Sequence, residues 1–294
     1  MPVVQLIINP HSGRGNGARM GPAVVRRLAE LGVECEARLT NRPGHATELA
    51  QQYACKGTKT ILIVGGDGSV FETVNGIMRA GKQTRLGIIP VGTGNDFAKM
   101  LSAANDWQKA CQVIAEGKSR KVDIGRCNQY FFANGIGFGF DAQVALEANL
   151  ISWLRGNAVY FAALTKILLM NYRLPKIRVE HDAGAIEQRV TLVAAANGRV
   201  YGGAFHITPL AEIDDGKLDI IIADGLGRIG ILGLLPHVMR GTHLDKAAVT
   251  FLRSKSMRLV SDMPMPVHAD GEIIETGATH LDIEILPSAL NVLG

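Results

Sequence analysis

The feature that most constrains the fold is an apolar run that passes directly into a glycine-rich segment carrying one acid. Ile61 to Val64 are four apolar, mainly β-branched residues, a pattern typical of a buried strand. The segment Gly65 to Ser69, with the sequence GGDGS, follows at once and predicts a tight turn. Apolar residues then recur at helical spacing from Phe71 to Met78. The sequence therefore predicts a buried strand, a tight turn and a helix in succession.

The acid in this turn has two interpretations. Glycines let backbone N–H groups approach a phosphate that no side chain crowds. The carboxylate of Asp67 is a poor phosphate ligand, but it suits a metal, a water network or a substrate hydroxyl. The combination indicates phosphoryl transfer, whereas an aspartate that only forms the turn is the alternative.

The first 125 or so residues alternate between strand and helix patterns, which predicts a parallel sheet covered by helices. Further predicted elements are strands at Val3–Ile8, Val33–Leu39 and Leu86–Pro90, and helices at Ala18–Leu31 and from Pro43 onward. Ligands of such sheets bind at the carboxyl ends of the strands. Because three glycine-rich segments follow strands directly, we expect them to converge on one edge of the sheet.

Two of these segments keep a structural alternative. The segment Asn9 to Gly17 lacks the ending of a P-loop and the spacing of a dinucleotide fingerprint. It is either a structural loop or a nucleotide-side loop that brings Arg14 near phosphate. The segment Val91 to Asp96 adds a hydroxyl, an amide and another acid directly after a strand. Asn95 or Asp96 either caps a helix that starts at Phe97 or serves the site, and the two roles can coexist.

After about Val122 the pattern changes to short apolar segments separated by Gly, Asp and Pro, which predicts an antiparallel β-domain. The predicted strands are Ile177–Glu180, Val190–Ala196, Leu218–Ala223, Val249–Leu252, Met257–Val260, Val267–Ala269 and Leu281–Leu286. Helices are predicted at Leu150–Asn171 and Ile229–Met239. The first of these, which includes Trp153 and Leu154, is either a core helix or a face that lines an acyl-chain groove or contacts a bilayer.

Two Asp-Gly pairs lie in this second region. Asp270-Gly271-Glu272 predicts a hairpin turn, because Asp-Gly is the strongest short hairpin signal. Asp214-Asp215-Gly216 is either a turn or a calcium or magnesium site. The eight histidines show no metal-ligand spacing.

Composition limits the class of protein. The net charge of +4 is mild, and an aromatic content of 5% argues against nucleic-acid binding through base stacking. Four scattered cysteines predict a reducing compartment. Neither a signal peptide nor an uncharged stretch near the ~20 residues of a membrane span is present. We expect a cytoplasmic protein with at most peripheral contact at the inner face of the membrane.

The motifs resemble those of the bacterial diacylglycerol kinase catalytic-domain family, in particular its YegS-like lipid kinases. They are Asn9 to Gly13, Gly65 to Ser69, Pro90 to Ala98, Asp270 to Glu272 and Ile283 to Leu290, and they span nearly the whole chain. The wider superfamily includes sphingosine kinases and NAD kinases.

The resemblance implies an α/β plus all-β fold in two domains. A Rossmann-like α/β domain, residues 1–124 with the segment 287–294 returning to it, would bind ATP. An antiparallel β-sandwich, residues 125–286, would bind the lipid. The implied reaction is transfer of the γ-phosphoryl group of ATP to a hydroxyl of diacylglycerol or a related glycerolipid. ATP and Mg²⁺ are the implied cofactors, and the oligomeric state, with a homodimer among the candidates, stays open.

The resemblance also implies the site residues. Glu272 corresponds to the catalytic base, with Asp67 organising metal and water. ATP contacts fall on Asn9, Thr40, Gly66, Asp67, Gly68, Ser69, Val70, Phe71, Glu72, Thr93 and Asn95. Asp96 and Asp123 join Asp67 in a network of acids around the phosphates and Mg²⁺. A metal site near the second Asp-Gly turn corresponds to Asp215, with Glu212 and Lys217 offering backbone carbonyls.

Three residues depart from the family pattern, and two other functions stay open. Phe71 replaces a usual Asn, Ser69 a usual Thr and Arg14 a common Lys. One alternative is an NAD kinase, although no Asn-Glu pair follows the fourth strand as those enzymes usually carry. The other is a nucleotide- or lipid-sensing module without turnover, which the change at Phe71 favours.

Overall fold

The computed structural model describes residues 4–101, 106–151, 157–170 and 172–294. The chain divides into two compact units. Unit 1 comprises Met1–Ile124 together with Pro287–Gly294, and unit 2 comprises Gly125–Leu286.

Unit 1 is built on a parallel sheet. Its strands are β1 (Val4–Ile8), β2 (Cys35–Leu39), β3 (Thr60–Gly65) and β4 (Arg85–Pro90), in the order β2-β1-β3-β4. The end of the last strand of the chain, β13 (Glu272–Leu293), extends this sheet, because Asn291–Leu293 pair in parallel with β4. The sequence predicted the four parallel strands to within two residues at each end.

Helices cover this sheet and bury its apolar side chains. They are α1 (Ser12–Glu30), α2 (His45–Cys55), α3 (Asp67–Ala80) and α4 (Trp107–Glu116). The core packs side chains of α1 and α4 against the strands, including Leu28, Leu62, Ile114 and Leu293. The sequence did not predict α4. Asp106 caps its N-terminus by accepting backbone N–H groups of the first turn.

Unit 2 is an antiparallel β structure. The strand β5 (Ser119–Cys127) begins in unit 1 and ends in unit 2. The other strands of unit 2 are β6 (Tyr130–Phe132), β7 (Gly135–Gly139), β8 (Lys176–His181), β9 (Gly184–Ala196), β10 (Leu218–Asp224), β11 (Val249–Ser254), β12 (Ser256–Ala269) and most of β13. The main order is β11-β10-β9-β7-β12-β13. The long strands β9 and β12 each pair with β8 through one half and with β7 through the other.

Three helices pack on this unit: α5 (Phe140–Leu150), α6 (Asn157–Met170) and α7 (Arg228–Arg240). Of the helix predicted at Leu150–Asn171, the described part is α6, whereas Leu150 ends α5, a helix that the sequence did not predict. Trp153, Leu154 and Asn171 lie outside the described residues. Within the described ranges no helix combines the length and apolarity needed to cross a bilayer.

Candidate active site

In unit 1 the three glycine-rich segments converge on one edge of the parallel sheet, as the sequence predicted. A Cβ atom placed on Gly92 would lie 2.5 Å from the Cα of Gly66, so these two loops are in backbone contact. A Cβ on Gly13 would overlap the carbonyl oxygen of Val91. Only glycine permits such approaches, and the result is a cluster of uncrowded backbone at the carboxyl ends of β1, β3 and β4.

The carboxylate of Asp67 joins two of these loops. Asp67 is the first residue of α3, so the turn before the helix is shorter than predicted. Its Oδ2 accepts a hydrogen bond from the backbone N–H of Asn95 at 2.7 Å, and its Oδ1 accepts one from Asp96 at 2.6 Å. Asp67 therefore fixes the position of the loop after β4, a role that the sequence did not reveal.

Asn95 and Asp96 do not cap a helix, so that expectation was wrong. Asn95 has a positive φ of 53°, and its side-chain amide makes two 3.0 Å hydrogen bonds with the backbone of Gly92. Asp96 is buried and forms an ion pair with Lys99 at 3.1 Å. Only a short 3-10 turn, Ala98–Met100, follows, without a side-chain cap. Both side chains shape the loop instead.

Asn9 holds the first loop against the start of α3. Its side-chain nitrogen donates to the hydroxyl of Ser69 at 2.8 Å, and its Oδ1 accepts the backbone N–H of His11 at 3.0 Å. Beyond it, Gly13 to Gly15 have positive φ values, so regular α1 begins only after them. The loop predicted at Asn9–Gly17 is thus a brief helical turn, a left-handed segment and the start of the helix.

Two residues expected to contact the nucleotide, Phe71 and Glu72, make contacts that stabilise the fold. The Glu72 carboxylate accepts the backbone N–H groups of Gly44 at 2.8 Å and Ala46 at 3.0 Å, so it caps α2. Phe71 is buried, and its carbonyl accepts the side-chain amide of Asn75 at 2.9 Å. The described contacts therefore tie both residues to the packing of α3.

The remaining residues expected in unit 1 differ in exposure. Thr93 is exposed between its two flanking glycines, whereas Thr40 is buried at the end of β2. Asp123 is buried, and its Oδ1 accepts the backbone N–H of Ser288 at 2.6 Å. This contact anchors the returning C-terminal segment. Gly68 and Val70 lie in the first turn of α3.

In unit 2 the Asp270-Gly271 pair forms the predicted hairpin between β12 and β13, with φ values of 50° and 87°. The Asp270 carboxylate accepts the backbone N–H groups of Ala133, Asn134 and Gly135 at 2.8–2.9 Å. Burial of the carboxyl raises its pKa to about 6, although these bonds act in the opposite direction. Glu272 is exposed at the start of β13, directly after the hairpin turn.

A buried polar cluster near this hairpin was not predicted from the sequence. His268 Nε2 lies 3.2 Å from Asp141 Oδ2, and the ring of Tyr201 contacts His268 edge-on. Glycine at position 137 makes room for the Asp141 carboxylate, because a Cβ atom there would overlap it. These residues are far apart in the chain, so no spacing signal could have revealed the cluster.

The turn expected to hold a metal carries suitable but incomplete ligands. Asp215 Oδ1 accepts the backbone N–H of Lys217 at 3.0 Å. Nearby, Asp219 is buried and pairs with Arg253 at 2.8 Å, and burial raises its pKa. In the described ranges no group of three His, Cys, Asp or Glu side chains could hold a metal ion. One carboxylate with backbone carbonyls still fits a hard cation such as Mg²⁺, and Glu212 and Lys217 flank the turn.

Comparison with known proteins identifies the family. Residues 3–127 match the model of the diacylglycerol kinase catalytic domain, and residues 134–294 match that of the YegS C-terminal NAD kinase beta sandwich-like domain. A diacylglycerol kinase of Staphylococcus carnosus (strain TM300) is 31% identical over 270 residues, which cover 91% of this chain and 88% of the relative. The chain belongs to the diacylglycerol kinase family. It is therefore a phosphotransferase of the lipid kinase class.

Further relatives of this family agree with the assignment. A diacylglycerol kinase of Mycobacterium tuberculosis (strain ATCC 25618 / H37Rv) is 32% identical over 298 residues, covering 99% of this chain and 94% of the relative. A crystal structure of a diacylglycerol kinase from Bacillus anthracis str. Sterne matches with a TM-score of 0.78 at 24% identity and covers 99% of this chain and 96% of its own. The latter match shows a shared fold.

Proposed function

We propose that this family member transfers the γ-phosphoryl group of ATP to a hydroxyl of diacylglycerol or a closely related glycerolipid. The observation that carries the proposal is the cluster of three glycine-rich loops held together by Asp67. Backbone N–H groups without neighbouring side chains suit a polyphosphate, and the parallel sheet places them at the strand ends where nucleotides bind in Rossmann-like folds.

Unit 1 is the proposed nucleotide-binding domain. Asn9, Asp67 and Asn95 hold the loops in place, and the exposed Thr93 offers a hydroxyl to a phosphate. Gly66, Gly68, Ser69 and Val70 supply backbone around the β3–α3 junction. Glu72 acts by capping α2 with its carboxylate, Phe71 acts through its buried side chain in α3, and Thr40 lies at the neighbouring strand end.

The proposed acceptor chemistry needs a base for the lipid hydroxyl. Glu272 takes its proton while the hydroxyl oxygen bonds to the γ-phosphorus and the bond to the β-phosphate oxygen breaks, which releases ADP. When bound, Mg²⁺ would neutralise phosphate charge. The acids Asp67, Asp96 and Asp123 are the proposed residues around it, and the turn at Asp215 is a second, structural cation site. Asp270 orients Glu272 by anchoring the hairpin.

The test uses the purified protein with Mg-ATP labelled at the γ-phosphate and vesicles that contain diacylglycerol. We expect labelled phospholipid, and we expect Glu272→Gln to lower the rate by about 10²–10⁴-fold while ATP still binds, since a general base contributes that much. Glu275→Gln, an equally exposed position on the same strand, is the matched control and should keep its rate. An unchanged rate in Glu272→Gln would remove that residue from the base role.

A further inference from the structure

Helices α6 and α7 of unit 2 expose large apolar side chains to solvent. On α7, Ile229 is 87% exposed and Leu232 52% exposed. On α6, Phe161, Leu169 and Met170 are 39%, 70% and 72% exposed. These five side chains, with Lys166, are called the α6–α7 surface below. Phe161, Lys166, Leu169 and Met170 line one surface depression, so the apolar exposure on α6 is contiguous, and contiguous apolar exposure marks a contact surface.

The two helices contact each other close to several of the exposed side chains. Ala163, Leu164, Ile167 and Leu168 of α6 share a core cluster with Ile231 of α7. The Arg228 guanidinium donates a hydrogen bond to the carbonyl of Leu168. Arg228 is followed directly by Ile229, and Leu168 by Leu169 and Met170. The most exposed apolar residues thus flank the point where the two helices meet.

The charges on these helices all have one sign. The sequences of α6 and α7 contain Lys166, Arg228 and Arg240 but no Asp or Glu. The one acid that a described ion pair brings to them, Glu147, binds Lys166 and is mostly buried. Apolar side chains bordered by cations are the pattern of a segment that lies in the interface of an anionic bilayer.

We propose that the α6–α7 surface docks on an anionic lipid bilayer. This docking proposal rests on the proposed lipid-kinase function, because the acceptor lipid resides in a membrane. Binding to a bilayer can nevertheless be measured without any catalysis. A second copy of the chain fits less well as the occupant, because an isologous contact would bring the cations of both copies together. The apolar side chains would enter the headgroup region while Arg228 and Arg240 meet lipid phosphates.

The test measures vesicle co-sedimentation of the full chain, with phosphatidylcholine vesicles that either contain or lack phosphatidylglycerol. We expect binding to the anionic vesicles that weakens with added salt, because exposed charges are screened. The double variant Ile229→Glu with Leu232→Glu should bind about tenfold or more weakly, since it removes buried apolar area and adds like charge. Circular dichroism and the thermal midpoint verify that the variant folds.

Leu39→Glu is the matched control, because Leu39 is 60% exposed on β2 of unit 1, and it should bind vesicles like the wild type. Equal binding by the double variant and the wild type would overturn the proposal. The proposal would also be overturned if the wild type were a dimer, the double variant were a monomer, and the two bound vesicles equally. Phosphoryl transfer to a short-chain, monomeric diacylglycerol is measured in parallel. Its absence alongside intact vesicle binding would refute the proposed function and leave the docking surface standing.

Discussion

At the residue scale, carboxylates that accept backbone N–H groups hold segments in place within each of the two units. Asp67 does so for the loop after β4, Asp270 for the segment 133–135, and Glu72 for the start of α2. Each acid therefore fixes a second segment that lies far away in the chain. The sequence identified Asp67 and Asp270 because each stands beside glycine. It could not show their partners, since a backbone donor leaves no signature in residue type.

Asp67→Asn tests the role of the first carboxylate. An amide has one acceptor oxygen, so one of the two N–H groups from Asn95 and Asp96 would face an NH₂ group. We expect a loss of about 1–3 kcal/mol in the free energy of unfolding and a strong loss of ATP binding. Asp106→Asn is the control, because Asp106 also accepts two backbone N–H groups but does so at an exposed helix N-terminus, where Asn serves equally. Equal effects of the two substitutions on ATP binding would contradict this role.

The pH dependence of stability tests the environment of Asp270. Its folded pKa of about 6 lies above the unfolded value of about 3.9, so the folded state holds the proton more tightly. The stabilisation is therefore complete below about pH 4 and is lost as the pH rises through about 6. Relative to Asp270→Asn, the free energy of unfolding should fall by at most about 3 kcal/mol across this window, as measured by urea denaturation. A difference that grows with pH would show that the hydrogen bonds outweigh burial.

At the scale of elements, the glycine-rich loops are defined by how closely their backbones approach. The strand and helix patterns predicted the order of elements because apolar periodicity reports burial. Phe97 did not start a regular helix, because the backbone N–H groups of Asn95 and Asp96 donate to the distant Asp67 carboxylate and their side chains bond within the loop instead of capping. Likewise, α5 was not predicted, because its apolar residues are not gathered on one face of the helix and so show no helical periodicity. Local patterns fail where tertiary contacts decide.

Gly92→Ala tests the loop contact. The new methyl group would lie 2.5 Å from the Cα of Gly66 and 2.7 Å from Oδ1 of Asn95, so the two loops must separate. We expect a loss of stability of about 1–3 kcal/mol, as for overpacked sites, together with weaker ATP binding in calorimetry. Gly233→Ala offers the contrast, because its methyl group meets open space on α7 and should stabilise the protein by up to about 1 kcal/mol. ATP affinity unaffected by Gly92→Ala would show that the loop contact does not shape the site.

At the scale of the whole molecule, the chain returns to its first unit at the end. Asn291–Leu293 complete the parallel sheet beside β4, and Asp123 holds the backbone of Ser288. The resemblance implied this return, but composition and periodicity did not, because a single β segment carries no mark of which sheet it joins. The order of the antiparallel strands in unit 2 was beyond prediction for the same reason.

Val292→Ala tests the contribution of this closing segment. Val292 is fully buried, so removing its two methyl groups should lower the free energy of unfolding by about 1–3 kcal/mol. Val260→Ala, at a half-exposed position of β12, should cost much less. Chemical denaturation of both variants measures the difference. Equal costs would mean that the segment adds nothing to the stability of unit 1.

The most direct test of the central claim is a competition between acceptors. The purified protein is given Mg-ATP labelled at the γ-phosphate together with diacylglycerol vesicles and NAD in the same reaction. The proposed function predicts label in the phospholipid product, none in the nucleotide acceptor, and loss of the lipid label in Glu272→Gln but not in Glu275→Gln. Label on NAD with none on lipid would contradict the account, as would ATP binding without transfer to either acceptor.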